Sequence, residues 1–296
     1  MIHSALTLKQ SQIQAFFDAD SHTFSYVIHD LASKHCAIID AVMDFDYASA
    51  SYAFSQADGI ISYIEQNQLQ TQWILETHIH ADHLSASHYL QQKLGGTTAV
   101  SEHIHQVQKV FGELFNTEQF IDKKYQFDQT FADGEEFMLG SLIVKVLHTA
   151  GHTPACVSYM VDGAVFVGDT LFMPDYGTAR CDFPGGDATT LYQSVQKLFD
   201  LPDDTKVLLC HDYIPSNTQR DFAFLSTIGE QKQANIHIHQ GVEQQQFVAM
   251  RQQRDQTLAV PKLMLPSVQV NMLVGQFPIA EDNGTQYLKI PLNAVK

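Results

Sequence analysis

Along the first two thirds of the chain, apolar positions gather in short runs of strand length. FSYVIHD (24–30), HCAIIDAV (35–42), QWILET (72–77), SLIVKVLHT (141–149), CVSYMVDG (156–163), AVFVGD (164–169) and KVLLCHD (206–212) are rich in β-branched and aromatic residues and bounded by polar or turn-forming ones. Val-Asp-Gly at 161–163 predicts a hairpin turn between two of them. Between the runs the apolar period lengthens. Residues 55–68 place Ile60, Ile61 and Ile64 on one helical face, and 83–94 and 101–115 read similarly. Residues 188–199 put Leu191, Val195, Leu198 and Phe199 on a stripe behind Asp187, a suitable N-cap. Strands in two clusters, each followed by helices, predict an α/β protein with two packed sheets and helices outside. From about 229 the texture changes to a Gln-rich stretch punctuated by Pro261, Pro266, Pro278 and Pro291, which predicts one helix (243–254) followed by extended segments. No linker precedes it, so 229–296 is expected to pack as an extension on a main domain of residues 1–228.

Composition removes several classes of function. The chain has 296 residues, 45% of them hydrophobic, which suits a sizeable core. Its longest apolar runs fall far short of the roughly 20 residues needed to span a bilayer, so no membrane association is expected. The start, MIHSALTLKQSQ, has no basic segment leading into an apolar one, so a cytoplasmic location is the expectation. A formal charge of −16, from 33 acidic and 17 basic residues, repels a phosphate backbone and argues against nucleic acid as a partner. The four cysteines (Cys36, Cys156, Cys181, Cys210) form no Cys-x-x-Cys pair, which disfavours disulfides and a zinc finger.

The candidate chemistry begins at ETHIHADH (76–83). This stretch follows the apolar run QWILET and precedes a helical pattern, so His78, His80, Asp82 and His83 are expected on the loop where a strand ends and a helix begins. Four ligand-type side chains in six residues are costly to bury without a cation among them. His152, Asp169 and His211 repeat that placement at the ends of three other runs, so a fold that aligns these strand ends gathers all seven. His-Ile-His also occurs at 103–105 and 237–239. The former begins a helical pattern, on which alternate residues point apart. The latter has no carboxylate close behind. These four histidines, with His3, His22, His29, His35, His88 and His148, are expected to be surface residues.

Taken together, THIHADH, HTAGHTPA, FVGDTLF and CHDY resemble the metallo-β-lactamase superfamily, four motifs in the family's order over 78–211. The resemblance implies a four-layer αββα sandwich with a metal site at one edge of the sheets, carrying a C-terminal extension. Within the superfamily, DYGTARCDFPGGDA and the CHDY segment are similar to the persulfide dioxygenases, especially their bacterial β-lactamase-like members. That branch implies one ferrous iron per chain on His78, His152 and Asp169, a two-His, one-carboxylate set with positions open to substrate and O₂, with zinc as an alternative native or substituted metal. It further implies oxidation of glutathione persulfide, or a similar small thiol persulfide, to sulfite and thiol in sulfide detoxification. Family members are often homodimers. His80, Asp82, His83 and His211 are then either outer groups that orient ligands and water or holders of a second metal.

Arg180, in the loop beyond Asp169, suits a glutathione carboxylate or, equally, a salt bridge to Asp175 or Asp182. Tyr213 is placed to donate a hydrogen bond near the metal or to serve as core, and Cys181 is expected to be a small buried hydrophobe. The competing resemblance is to glyoxalase II, a dinuclear glutathione thioester hydrolase. That family shares the first motif and GDTLF but continues toward Gly-His-Glu-Tyr and a helical C-terminal domain, against CHDY and an extended-looking tail here. A non-catalytic sulfur-binding protein is the weaker alternative, since every ligand position is kept. Mammalian-type dioxygenases have Arg-Cys where this chain has Leu273-Val274, so Arg251 or Arg254 would have to supply the basic contact, or the thiol carrier differs from glutathione.

Overall fold

The structure is a computed structural model describing residues 3–118, 120, 126–216 and 218–294. Its strands form two large sheets. The first runs, in spatial order, His3–Thr7, Ser11–Asp18, Thr23–Asp30, His35–Ile39, Gln70–Leu75, Thr97–Ser101 and Gln129–Phe131. The second runs Glu136–Leu139, Leu142–His148, Val157–Val161, Ala164–Phe166, Lys206–Leu208 and Leu225–Thr227. A small third sheet joins Val42–Asp46 to Ser51–Ala53 and to Leu84–Ser85.

Among the described residues there are seven α-helices: α1 (Ser55–Gln66), α2 (Ser87–Leu94), α3 (Ile104–Phe115), α4 (Ala188–Phe199), α5 (Ile228–Ala234), α6 (Gln244–Asp255) and α7 (Met264–Asn271). None is long and apolar enough to cross a membrane.

Side-chain alternation explains the layering. In Leu142–His148, Leu142, Val144 and Val146 are buried while Ile143 and Lys145 are exposed. The buried set meets Ile13, Phe24, Tyr26 and Ile28 of the first sheet in one inter-sheet core. On the outer face of the first sheet, Val27, Ile38 and Ile74 pack under Ile60 and Ile64 of α1 and Leu90 of α2. On the outer face of the second, Val165 and Val207 pack under Leu191, Val195 and Leu198 of α4. Each such side chain contributes roughly 1.5–3 kcal/mol on burial, so the expected helix-sheet-sheet-helix order follows from which face of each strand is apolar. Asp187 caps α4 by accepting from the Thr190 amide at 2.7 Å, and the 161–163 turn joins an antiparallel hairpin, both as the pattern predicts.

Several expectations need correction. The pattern from 83 is not helical at its start: Leu84–Ser85 pairs with Val42–Met43, and α2 begins only at Ser87. Helix α3 likewise starts at Ile104 rather than 101. The tail carries α5 and α7 in addition to the one helix expected there, because Pro266 sits in the first turn of α7, where its missing N–H costs nothing. An extended tail therefore no longer separates this chain from glyoxalase II. Phe247 of α6 joins the core beneath α4, and Val268 of α7 packs with Val107 and Phe111 of α3. Two histidines expected at the surface are buried, His29 within its strand and His237 beside the 177–178 turn.

Candidate metal centre

The seven ligand-type residues come together at one edge of the two sheets, on loops leaving the strands Gln70–Leu75, Leu142–His148, Ala164–Phe166 and Lys206–Leu208. Asp169 does not end its strand; it lies in a 3₁₀ turn, Gly168–Thr170, just beyond it. That turn needs Gly168, which has φ +50° and approaches so closely that an added Cβ would stand 2.6 Å from Thr77 Oγ1. The close approach sets Asp169 against His78.

Within the site, donor atoms of His78, His152 and Asp169 lie within 4.8 Å of one another, and so do those of His80, Asp82 and His83. Asp169 Oδ2 is 3.9 Å from His78 Nε2 and 3.7 Å from His152 Nε2, while Asp169 Oδ1 is 3.3 Å from His211 Nε2. His211 Nε2 is also 3.5 Å from Asp82 Oδ2, so His211 sits between two carboxylates. His78 Nε2, His83 Nε2, His211 Nε2, both ring nitrogens of His80, Glu76 Oε2 and Asp169 Oδ1 are buried without a hydrogen-bond partner. Orphaned buried polar atoms cost about 1–3 kcal/mol each. A set of them converging from three loops fits metal ions, whose ligands must offer bare lone pairs.

The opposite side of each ring is occupied, and this fixes its orientation. Thr77 Oγ1 contacts His78 Nδ1 at 3.0 Å and donates to Asp40 at 2.8 Å, and Asp40 also accepts the Thr77 amide at 2.7 Å. The carbonyl of Arg180 meets His152 Nδ1 at 2.8 Å. The His22 carbonyl and Thr23 Oγ1 meet His211 Nδ1 at 3.2 and 3.3 Å, and Asp82 and Thr23 meet His83 Nδ1 at 3.2 and 3.3 Å. His80 differs: its Nε2 lies 3.1 Å from Asp40 and 3.3 Å from Glu76, and His80 belongs both to a ligand group with those two acids and to one with Asp82 and His83. Glu76 is itself held by the Ser85 and Ser87 hydroxyls.

Burial, reinforced by His80 and His152, pushes the His78 pKa well below its usual value, keeping the neutral form a metal requires. Burial alone would do the same to His80, but Asp40 and Glu76 override it and raise that pKa well above the usual value. Asp82, only partly exposed, stays ionised because His211 and His83 hold its carboxyl well below the carboxylate range.

Asp40, Glu76, Thr77 and Asn271 support the site, and motif reading assigned none of them a role. Asn271, the last residue of α7, donates to the carbonyls of both His80 and His83 at 2.9 Å and accepts the Ser85 amide at 2.7 Å, tying the tail to the ligand loop. The only sequence signal for Asp40 is polar: an acid interrupts the apolar run HCAIIDAV, and it adopts φ +52°.

The other predicted residues fall around a cavity of about 240 Å³ that opens onto Asp169 and His152. Phe172, Phe183 and Tyr213 wall it, and the Tyr213 ring stacks on His211 at 5.4 Å. Arg180 reaches the cavity, yet Asp182 takes Nε and an Nη at 2.6 and 2.7 Å, and the Ala259 carbonyl takes the other Nη. Asp175 is engaged by Arg220 instead. Cys181 is buried with its thiol pKa pushed up by burial, as an inert core cysteine should be. Leu273 and Val274 are buried in the apolar cluster around α3.

A sandwich of this order with ligands at its edge is the architecture of one class of metal-dependent enzyme, and comparison with known proteins agrees. Residues 19–211 match the family model described as the metallo-beta-lactamase superfamily; the chain belongs to that superfamily. It is 48% identical to a protein of Burkholderia pseudomallei named "Probable metallo-hydrolase", over 96% of this chain and 99% of the relative. It is equally identical to "Glyoxylase B2" of Dictyostelium discoideum, over 97% of this chain and 99% of the relative. The human mitochondrial persulfide dioxygenase ETHE1 is 29% identical over 68% of each chain. The crystal structure of ETHE1 from Myxococcus xanthus superimposes with a TM-score of 0.71 at 28% identity, covering 93% of this chain and 100% of the other. The chain is thus a metal-dependent enzyme of this fold, with relatives in both its hydrolytic and its persulfide-oxidising branches.

Proposed function

We propose that the chain is an iron(II)-dependent persulfide dioxygenase that, with O₂ and water, converts a small thiol persulfide such as glutathione persulfide to sulfite and thiol, in sulfide detoxification. The observation that carries this reading is the pairing of donor sets. His78, His152 and Asp169 form a two-His, one-carboxylate group opening onto the cavity, while His80 turns its Nε2 away to Asp40 and Glu76. His78, His152 and Asp169 would hold a ferrous iron, which would supply the redox chemistry that joins O₂ to the persulfide sulfur.

The chain's own residues do the rest. Asp40, through Thr77, and the Arg180 carbonyl aim the two histidines. Phe172 and Phe183 exclude water from the reacting sulfur. Burial, with Asp82 and Asp169 nearby, raises the Tyr213 pKa well above its usual value, so its hydroxyl stays a proton donor at the cavity wall.

A second reading, a dinuclear thioester hydrolase, is favoured by one feature: His211 Nε2 stands between Asp82 and Asp169, where it completes a second ligand set. Metal analysis of anaerobically purified protein, combined with oxygen uptake on glutathione persulfide, separates the two. About one iron per chain and persulfide-dependent uptake with release of sulfite is expected. Two tightly held zinc ions with thioester hydrolysis and no uptake would overturn the dioxygenase in favour of the hydrolase.

A further inference from the structure

The metal centre is reached from two sides, and the two sides differ in charge. The cavity that opens onto Asp169 and His152 is lined by Arg180, Arg251 and Arg254. A second cleft, of about 610 Å³, meets the centre at Asp82 and His83 and is lined by four further acids, Asp18, Asp20, Asp44 and Asp46, against one lysine, Lys262. Asp82 and Tyr213 line both openings, so they stand where the two meet.

The four acids come from separate parts of the chain. Asp18 ends the strand Ser11–Asp18 and Asp20 follows in its turn, while Asp44 and Asp46 lie on Val42–Asp46 of the small sheet. Neutral groups supply their hydrogen bonds: Ser21 to Asp18, the Ser55 amide to Asp44 and Ser49 to Asp46. Among the described residues no ion pair reaches any of the four, and Asp20 is exposed with no partner at all. Like charges gathered on one cleft repel each other, and solubility is served as well by acids scattered over the surface. What they converge on is a ligand-type nitrogen. His83, 1% exposed, lines the inner end of the cleft; Thr23 and Asp82 meet its Nδ1, and its Nε2 is buried without a hydrogen-bond partner.

We infer that this cleft is the loading route of the metal centre, along which a divalent cation is drawn by Asp18, Asp20, Asp44 and Asp46 and passed to Asp82 and His83. The transfer is ligand exchange without change of oxidation state: water leaves the ion as carboxylate oxygen, then imidazole nitrogen, takes its place. A cleft lined by one sign of charge concentrates the opposite ion and speeds its arrival. The arginine-lined cavity opposes a cation and is left to small molecules. The inference rests on the residues around Asp169 being a metal centre and holds for either reading of the reaction there.

Metal uptake by the full chain, freed of metal by chelation, tests this without turnover. Cobalt(II) is the probe, and the visible absorption of histidine-bound cobalt after rapid mixing is the readout. At about 0.01 M salt, where charges act over roughly 30 Å, Asp20→Asn combined with Asp46→Asn should slow uptake about tenfold, roughly threefold for each carboxylate removed from the path of a divalent ion. Asparagine keeps the acceptor that Ser49 uses. At about 1 M salt the slowing should vanish, and the final cobalt occupancy should match the wild type in both conditions. Asp200→Asn combined with Asp204→Asn removes the same charge from exposed positions before the strand Lys206–Leu208, whose other end leads to His211, and should leave the rate unchanged. An unslowed rate in the cleft variant, equal slowing in this control, or slowing that persists at high salt overturns the loading route and leaves the metal centre standing. A wild type that takes up no cobalt overturns both.

Discussion

The same tripeptide, His-Ile-His, builds two opposite things in this molecule. At 78–80 it brings ring nitrogens into the candidate metal centre; at 237–239 it supplies a wedge. His78 and His237 are both buried, so burial does not distinguish them. What does is the fate of each ring's nitrogens. His78 has Nδ1 engaged by Thr77 and Nε2 left bare toward Asp169. His237 instead uses Nδ1 to accept the Thr178 amide at 3.0 Å, and its ring fills the space that a side chain on Gly177 would need, an added Cβ there standing 2.1 Å from the ring. Gly177, at φ +101°, is what admits it. A buried histidine is thus a ligand candidate when its outward nitrogen is unpartnered and aimed at others like it, and a structural part when a backbone amide has claimed it.

That contrast predicts its own largest effect. His78→Ala should remove metal and activity together, by more than about a hundredfold in activity, since loss of a ligand should exceed the ten- to hundredfold typical of losing a group behind one. Metal content by mass spectrometry and turnover check it; full metal occupancy in the variant would place His78 with His237 as a structural residue. Asp40→Asn sharpens the same point one bond further out. It leaves the ligands in place but weakens the hold on Thr77 and on His80 Nε2. Metal affinity should fall about ten- to a hundredfold, measured by chelator competition, with the fold retained by circular dichroism.

The difference between the two copies also marks what the chain discloses by itself. The gathering of the candidate ligands was legible because each interrupts or follows an apolar run at a strand's end, and four such places in order are not produced by surface composition. The two sheets were legible where the period was two or the run wholly apolar. The N-terminal strands His3–Thr7 and Ser11–Asp18 were not, because SALTLKQSQIQAFFD mixes polar residues into positions that its sheet neighbours, rather than its own pattern, bury. Helix α7 was hidden by Pro266 and by the alternating Val268 and Val270 after it, a strand-like period in a segment held helical by packing on α3 and on the His78–His83 loop through Asn271. Asp40, Glu76 and Asn271 were illegible for a related reason. Their function lies in which atoms they meet: Asp40 reaches Thr77 37 residues away and Asn271 reaches His80 191 away, which leaves no local spacing to read, while Glu76, four residues before His80, is set against it only by how the loop folds.

The smallest effect belongs to the wedge. Burial, then the charges of Arg251 and Arg254, lower the His237 pKa to about 4 from the usual 6.5 of a histidine. Its Nδ1 is already an acceptor, so a proton there would set one N–H against another. Because the folded-state pKa is the lower one, the unfolded chain binds the extra proton between about pH 4 and 6.5. The stability this group contributes is therefore fully present above pH 6.5 and is lost as the pH falls toward 4; the shift corresponds to an upper bound of about 3 kcal/mol, less after solvent screening of a ring that is not fully enclosed. His237→Gln keeps an acceptor for the Thr178 amide but cannot titrate. Urea midpoints measured from pH 7 to pH 4 should therefore fall less steeply in the variant than in the wild type, while metal content at pH 7 stays unchanged. His239→Gln, exposed and two residues away, should follow the wild-type slope. If His237→Gln lost metal instead, the second copy of the tripeptide would be acting on the centre after all, and the distinction drawn from its claimed nitrogen would be wrong.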